Sequence, residues 1–401
     1  MILEAKVEAE TPPLSKGKKI CFTIASVVIV LGAMCCFGEI ALRSLPLGEY
    51  RSTPFRQYDS QLGRSLIPNR HLIHSRGCFQ GEVSINGWGM RDRERTLAKP
   101  PGEFRIAIIG GVEAAQVKPQ EVLNIRMEEL LHDKGYRNVE VLNFSVEGIG
   151  TTQELLMYEQ KARQFHPDLV LLMFTVNDVL SNSSTLQPKF YGIHDWYAPY
   201  YNLSGDGRLV LQPVQRRYFN GLRSFLEANS LLVYYLERTW LQFDVPLYKW
   251  QGLPLFYGTF SDDPLNPEWR QAWLTTEKVL QKLNDSVTAD GAKFLVLPWP
   301  SPTSIDPDWR QVMMARFGHV PSAFNPDKPQ ERLKEIAERS HVPIAFFTSY
   351  MQSYRDEHHL QAPYFSFPCD AHYTALGYQV SAEAIVQKLA ELNLLPTTSS
   401  E

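Results

Sequence analysis

The sequence predicts an α/β domain with a central parallel sheet, carried behind one apolar N-terminal helix. Three observations predict it. From Phe104 onward, short apolar runs alternate with stretches of helical spacing, the pattern of strand–helix–strand units with right-handed crossovers. The strand candidates are apolar throughout rather than alternating, as in DLVLLMF (Asp168–Phe174), which fits a sheet covered on both faces. Finally, Ile20–Phe37 (ICFTIASVVIVLGAMCCF) runs eighteen residues without a charge, close to the ~20 that a membrane span needs.

Taken in order, the chain divides into an arm (1–19), an anchor (20–42), an extended membrane-proximal segment (43–103), the α/β domain (104–392) and a polar tail (393–401). Lys16, Lys18 and Lys19 precede the apolar run, while Glu39 and Arg43 follow it. The positive-inside bias therefore puts the arm in the cytoplasm and the main domain outside, as a single-pass membrane protein. A cleaved signal peptide shares the basic start and the apolar run, but no small-x-small site follows. Bulky Met34 before Cys35 argues against a lipoprotein. Of five cysteines, Cys21, Cys35 and Cys36 lie in the run; Cys78 and Cys369 are the only external thiols. In an oxidising compartment those two are a disulfide candidate, the alternative being two buried free thiols.

Within the domain, strands are expected at Phe104–Gly110, Val139–Phe144, Asp168–Phe174, Lys293–Pro298 and Val342–Phe347. Helices are expected at Gln120–Lys134, Thr152–Phe165, Pro267–Asn284, Gln330–Ser340 and Ala375–Leu392. His166-Pro167-Asp168 reads as a helix stop. An insertion, Leu180–Asp262, holds a hairpin around Gly205-Asp206-Gly207 (Tyr200–Gln212) and a helical stretch, Ser224–Leu241. Its aromatics (Trp196, Tyr197, Tyr200, Tyr201, Tyr218) are core by default, with an exposed subset as a sugar-stacking platform the sharper alternative. There is no internal repeat and no low-complexity segment.

Composition narrows the classes further. The 401 residues carry 44 Asp plus Glu against 40 Lys plus Arg, and 44% are hydrophobic. That excludes wholesale disorder. A weakly acidic balance with no basic cluster beyond the arm excludes a nucleic-acid binder. A mean hydropathy of −0.24 excludes a multi-span membrane protein. No Cys-x-x-Cys or Cys/His cluster suggests a metal, and no cofactor is expected.

In parallel sheets, chemistry gathers at the carboxyl ends of the strands. There this chain places Asn143-Phe-Ser-Val-Glu-Gly148, Thr175-Val-Asn-Asp178 and, before the last helix, Asp370-Ala-His372 with Gly377 beyond. With the entry segment INGWGMRD (Ile85–Asp92), the GIGTTQE run (Gly148–Glu154), PDLVLLMFTVND (Pro167–Asp178) and CDAHYTALGYQVSAEAI (Cys369–Ile385), the chain resembles the GDSL, or SGNH, hydrolase family of esterases and acyl transferases. The resemblance spans about residues 80–392. It implies a three-layer, flavodoxin-like α/β fold, with His372 as general base, Asp370 orienting it, and Gly148 and Asn177 as oxyanion donors. Such donors stabilise a tetrahedral oxyanion by roughly 3–4 kcal/mol each. It also implies a carbohydrate ester as ligand. One departure is a single residue between Asp370 and His372 where the family commonly has two.

The larger departure is the nucleophile. The family carries Gly-Asp-Ser directly after the first strand, whereas this chain reads Gly110-Gly111-Val112-Glu113-Ala114. Aligned without a gap, Val112 stands at the serine; aligned on Glu113–Val117, about two residues are missing. Either way there is no Ser, Thr or Cys between Thr96 and Ser145, and covalent catalysis needs its attacking atom. Glu113 as a substitute is outweighed by a solvated turn carboxylate. Ser145 serves only if its loop repositions it; Glu147 flanks Gly148 on the other side. Plainer readings exist for the rest: Asp370 and His372 as a helix-end hydrogen-bonding pair with Thr374 as cap, and Asn177-Asp178 as turn chemistry. The expectation is a degenerate esterase that binds an acylated glycan or an unidentified protein partner. The alternatives are an active esterase or O-acyltransferase on surface polysaccharide and a structural subunit of a membrane complex.

Overall fold

The computed structural model describes residues 15–45, 55–76, 78–112, 114–191, 198–214, 220–236, 239, 257–262, 265–316, 323–361, 364–368 and 371–397. The apolar run forms one helix, α1 (Lys16–Ser44), with none of its residues buried. It is long and apolar enough to cross a membrane, a property a signal sequence shares. Two antiparallel hairpins follow, β1–β2 (Arg56–Asp59, Gly63–Leu66) and β3–β4 (Arg70–Arg76, Phe79–Ile85).

The central sheet has four parallel strands: β5 (Phe104–Gly110), β6 (Val139–Asn143), β7 (Leu169–Phe174) and β10 (Lys293–Pro298), in the order β10-β7-β5-β6. Its side chains alternate strictly between two cores. Ala107, Ile109, Val170, Leu172 and Val296 face one core; Ile106, Ile108, Leu169, Leu171 and Leu295 face the other. Helices α3 (Thr151–Gln160) and α9 (Pro267–Ala289) pack together on the first side, α2 (Leu123–Asp133) and α14 (Ala375–Glu391) on the second. Three layers follow from strands that are apolar on both faces.

The segment Val342–Phe347, expected as a strand, joins only as a single parallel bridge, Ile344 to Val296. Pro343 has no N–H to donate. What remains is Val296 N donating to Pro343 O (2.9 Å) and Ala345 N donating to Val296 O (3.0 Å). Beside α12 (Lys328–Ser340), which packs in the first core, short helices α10 (Pro302–Ile305), α11 (Pro307–Arg316) and α13 (Thr348–Glu357) occur in this part of the chain, α10 and α13 in the second core; the apolar periodicity did not announce these three.

The insertion begins with α4 (Asn177–Ser181) and α5 (Leu186–Tyr191), then the hairpin β8–β9 (Tyr200–Leu203, Leu209–Gln212). The stretch expected as one helix is two, α6 (Asn220–Asn229) and α7 (231–236), before α8 (Tyr257–Phe260). The break comes from outside the segment. Glu39 of α1 accepts from Ser230 Oγ (2.8 Å), Leu231 N (3.1 Å) and Leu232 N (2.9 Å), so its carboxylate starts α7. Tyr201 is buried, and Tyr200 donates its hydroxyl to Gln187 (2.6 Å), so both are packing residues. Trp196, Tyr197 and Tyr218 lie outside the described residues.

The INGWGMRD segment fastens the second hairpin to the sheet. Asn86 Oδ1 accepts from Trp88 N and Met90 N (both 3.0 Å), forming its turn. Arg91 donates to the carbonyls of Glu82 (2.7 Å) and Val117 (2.6 Å).

Candidate functional site

At the end of β5 the chain must pass close beneath β7. Gly110 has φ 148°, and a Cβ there would lie 2.6 Å from the Met173 carbonyl oxygen, so only glycine fits. Gly111 follows, half-buried beside the Thr175 side chain. Val112, at the position the resemblance assigns to the nucleophile, is 7% exposed and packs in the second core with Ala114, Val117 and Val122. Glu113 lies outside the described residues. A Val112→Ser variant is therefore expected to gain no ester hydrolysis. It should lose about 1–3 kcal/mol, because its hydroxyl would be buried away from partners. Urea midpoints and an acyl-ester assay check both, and turnover above that of the parent chain would contradict the inward placement of Val112.

Beyond β6, Phe144 N donates to Ile108 O (2.8 Å) and Val146 N to Gly110 O (2.9 Å), extending the pairing to the strand end. The chain then turns through Gly148 at φ 78°, the left-handed region where glycine carries no side-chain penalty. Ser145 is buried, its N–H taken by Asn143 Oδ1 (3.0 Å) and its Oγ without a partner among the described residues.

The third loop arrives from the C-terminal side. Tyr373 is buried against Trp299 (ring centroids 4.9 Å apart) and donates to Pro300 O (2.7 Å). Thr374 caps α14, its side chain accepting from Gly377 N (3.2 Å). These two anchors hold His372, half-buried, at the rim. Asp370 and Cys369 lie outside the described residues. Cys78, the other expected half of the disulfide, is disulfide-bonded, and Cys21, Cys35 and Cys36 are free.

His372 meets Glu147. Its Nε2 stands 3.0 Å from Glu147 Oε1, and Glu147 Oε2 accepts from Arg56 Nη2 of the first hairpin at 2.5 Å. Arg64 Nη1 also reaches the Glu147 carbonyl (3.4 Å). An aromatic row, Phe55–His74–Phe79–Phe367, with ring centroids 5.3–5.4 Å apart, runs from the hairpins to the loop bearing His372. Burial would raise the Glu147 carboxyl, but Arg56, His372 and His74 outweigh it and hold it well below the usual carboxylate range. It is thus an ionised carboxylate, accepting from the imidazole nitrogen. No sequence signal marked Arg56, which stands 91 positions from Glu147.

Asn177 opens α4 at the carboxyl end of β7, half-buried. The Gly148 loop continues to Gly150, where a Cβ would lie 2.6 Å from Ser181 Cβ of the same short helix. The loops carrying Gly111, Gly148, Asn177 and His372 thus cluster at one end of a parallel sheet, with Glu147 touching His372. The fold is a three-layer α/β fold with a four-stranded parallel sheet.

No model of a known protein family matches this sequence, and no curated protein does. Solved structures do. A lipase/acylhydrolase from Enterococcus faecalis is 12% identical over 72% of this chain and 96% of its own, with a TM-score of 0.38. An acetyl xylan esterase is 12% identical over 71% and 100%, also at 0.38. A two-domain esterase active on acetylated mannans is 11% identical over 75% and 52%, at 0.37.

Near these loops lies a pair the sequence did not announce. Glu154 on α3 is fully buried, and neither carboxyl oxygen has a hydrogen-bond partner among the described residues. Asp178 is equally buried and accepts from Thr175 N (2.8 Å) and Thr175 Oγ1 (2.7 Å). Burial pushes Asp178 up to about 8; burial, with Asp178 nearby, carries Glu154 well above its usual value. Both therefore hold their protons at neutral pH. In sequence Asp178 reads as turn chemistry, and Glu154 only closes the GIGTTQE run. Among the described residues no group of three or more His, Cys, Asp or Glu is placed to hold a metal.

Proposed function

We propose that this is a membrane-anchored, extracytoplasmic SGNH-hydrolase-like protein that has lost the serine mechanism and uses its cleft to bind an acylated carbohydrate. One observation carries the loss: Val112, which stands at the serine in the ungapped alignment, packs into the core, in a loop with no hydroxyl or thiol. A general base must accept a proton from the attacking group. An Nε2–H donated to a carboxylate that Arg56 holds in place leaves that nitrogen no lone pair, so only Nδ1 could take a proton. Gly148 and Asn177 would remain as donors to an ester carbonyl, now serving recognition. The apolar run of α1, exposed over residues 20–37, with Lys16, Lys18 and Lys19 at its start, supports an anchor with the arm on the cytoplasmic side.

The test uses the full chain in detergent micelles. Hydrolysis of simple acyl esters and of acetylated oligosaccharides is measured beside His372→Ala, and binding of the same oligosaccharides by calorimetry. The expected result is equal, background-level hydrolysis in both proteins, with heat of binding for acetylated but not deacetylated sugar. Turnover that disappears with the histidine would favour the active-esterase reading instead. Absence of binding, with stoichiometric co-purification of another membrane protein, would favour a structural subunit.

A further inference from the structure

The far end of α1 is built into the insertion. Glu39 receives the three donors that start α7, Arg43 Nη2 donates to the Asn229 carbonyl that ends α6 (2.8 Å), and Gly38 lies against Leu232, whose Cδ2 would be 3.4 Å from a Cβ there. Glu39 and Arg43 stand two and six residues past Phe37. At 1.5 Å per residue those positions are roughly 3 and 9 Å beyond the end of the apolar run. The headgroup zone occupies roughly 5–8 Å on each side of the hydrocarbon. The corner where α6 meets α7 is therefore held at headgroup height.

At that height α6 presents an unpartnered apolar face. Leu222, Phe225 and Leu226 recur at i, i+3 and i+4, one side of a helix, and are 55%, 63% and 39% exposed; Leu236 of α7 is 61% exposed. The other side is tied to the domain: α6 packs against β1, Ala228 is buried, and Ala228 O accepts from Arg70 Nη2 (2.5 Å). Single apolar residues on a surface are ordinary. A one-sided set on a helix fixed at the mouth of a span matches an interfacial helix, whose apolar face enters the boundary between headgroups and acyl chains.

We propose that α6 docks on the bilayer that α1 spans, with Leu222, Phe225 and Leu226 in the lipid interface and Leu236 beside them. This rests on reading α1 as an anchor. The bilayer is the occupant because Glu39 and Arg43, just past the apolar run of α1, bind the corner from which α6 runs. The consequence for the cleft is orientation. The docked helix packs on β1, and Arg56 of β1 grips Glu147 beside His372, so the cleft is held at a set height over the membrane.

The experiment places the photoreactive benzoylphenylalanine, one position at a time, at Val28, Leu222, Phe225 and, as control, the exposed Gln387 of α14. The full chain is reconstituted in phosphatidylcholine–phosphatidylglycerol vesicles containing a tagged lipid. Lipid adducts are expected at Val28, Leu222 and Phe225, and none above background at Gln387. Adducts at Val28 with none at Leu222 and Phe225, or with adducts there to a second copy of the chain, overturn the docking while sparing the anchor. Loss of adducts at Val28 as well removes the anchor reading, and the docking with it.

Discussion

Replacing Arg95 by methionine is expected to cost about 3–5 kcal/mol, the range for removing one partner of a buried ion pair. Arg95 is 4% exposed, and all its hydrogen bonds run inward. Its guanidinium holds Asp92 with two bonds (2.9 and 3.0 Å), Glu128 Oε2 (2.9 Å) and the Val141 carbonyl (2.8 Å). Those carboxylates in turn accept from Val141 N (2.9 Å) and Asn143 N (3.2 Å) of β6. One side chain thus joins the entry segment, α2 and the strand that leads to Glu147. Without it Asp92 and Glu128 are buried without that counter-charge and will take up protons. Burial already lifts Asp92 to about 6 and loss of Arg95 lifts it further, while Glu128, now held below its usual value, rises too, so the deficit should grow with pH. Urea unfolding of the full chain in micelles at pH 5 and pH 8 measures this; a loss below about 1 kcal/mol would place Arg95 among ordinary exposed pairs.

The second large effect concerns the buried carboxyls beside the cleft. Asp178 is pushed up to about 8 and Glu154 rises well above its usual value, both chiefly by burial. Raised folded values mean that the native state keeps protons the unfolded chain has released. Stability is then fully present below about pH 4 and falls as pH rises toward 8, by up to about 1.4 kcal/mol per pH unit for each group. Glutamine at position 154 stays neutral at nearly the same shape. Glu154→Gln is therefore expected to make unfolding less pH-dependent between pH 5 and 8, and the variant should be the more stable protein at pH 8. Denaturant midpoints across that range decide it, and parallel profiles for the two proteins would refute a protonated Glu154.

Much of the layout was legible because it is written in short-range pattern. Each strand of the sheet carries a continuous apolar run, and a strand between two helical layers buries both faces, so DLVLLMF and KFLVLP declared themselves. Thr374 as the α14 cap was readable for the same reason, since a cap is local chemistry within three residues. Val342–Phe347 misled: its composition is that of a strand, but Pro343 breaks the ladder to a single bridge. The helix expected over Ser224–Leu241 misled differently, because a carboxylate nearly two hundred residues earlier starts a new helix inside it.

The absence of Ser, Thr and Cys between Thr96 and Ser145 was likewise a property of the sequence alone, since such a stretch cannot offer their oxygen or sulfur in any conformation. What stands in the cleft instead was decided only by tertiary structure. Glu147 was one more charged residue beside a glycine until folding set its carboxylate between His372 and Arg56. The physical reason is separation along the chain. Periodicity and capping act over a few residues, whereas an ion pair joining a hairpin, a sheet-end loop and the loop before the last helix exists only once the sheet has brought them together.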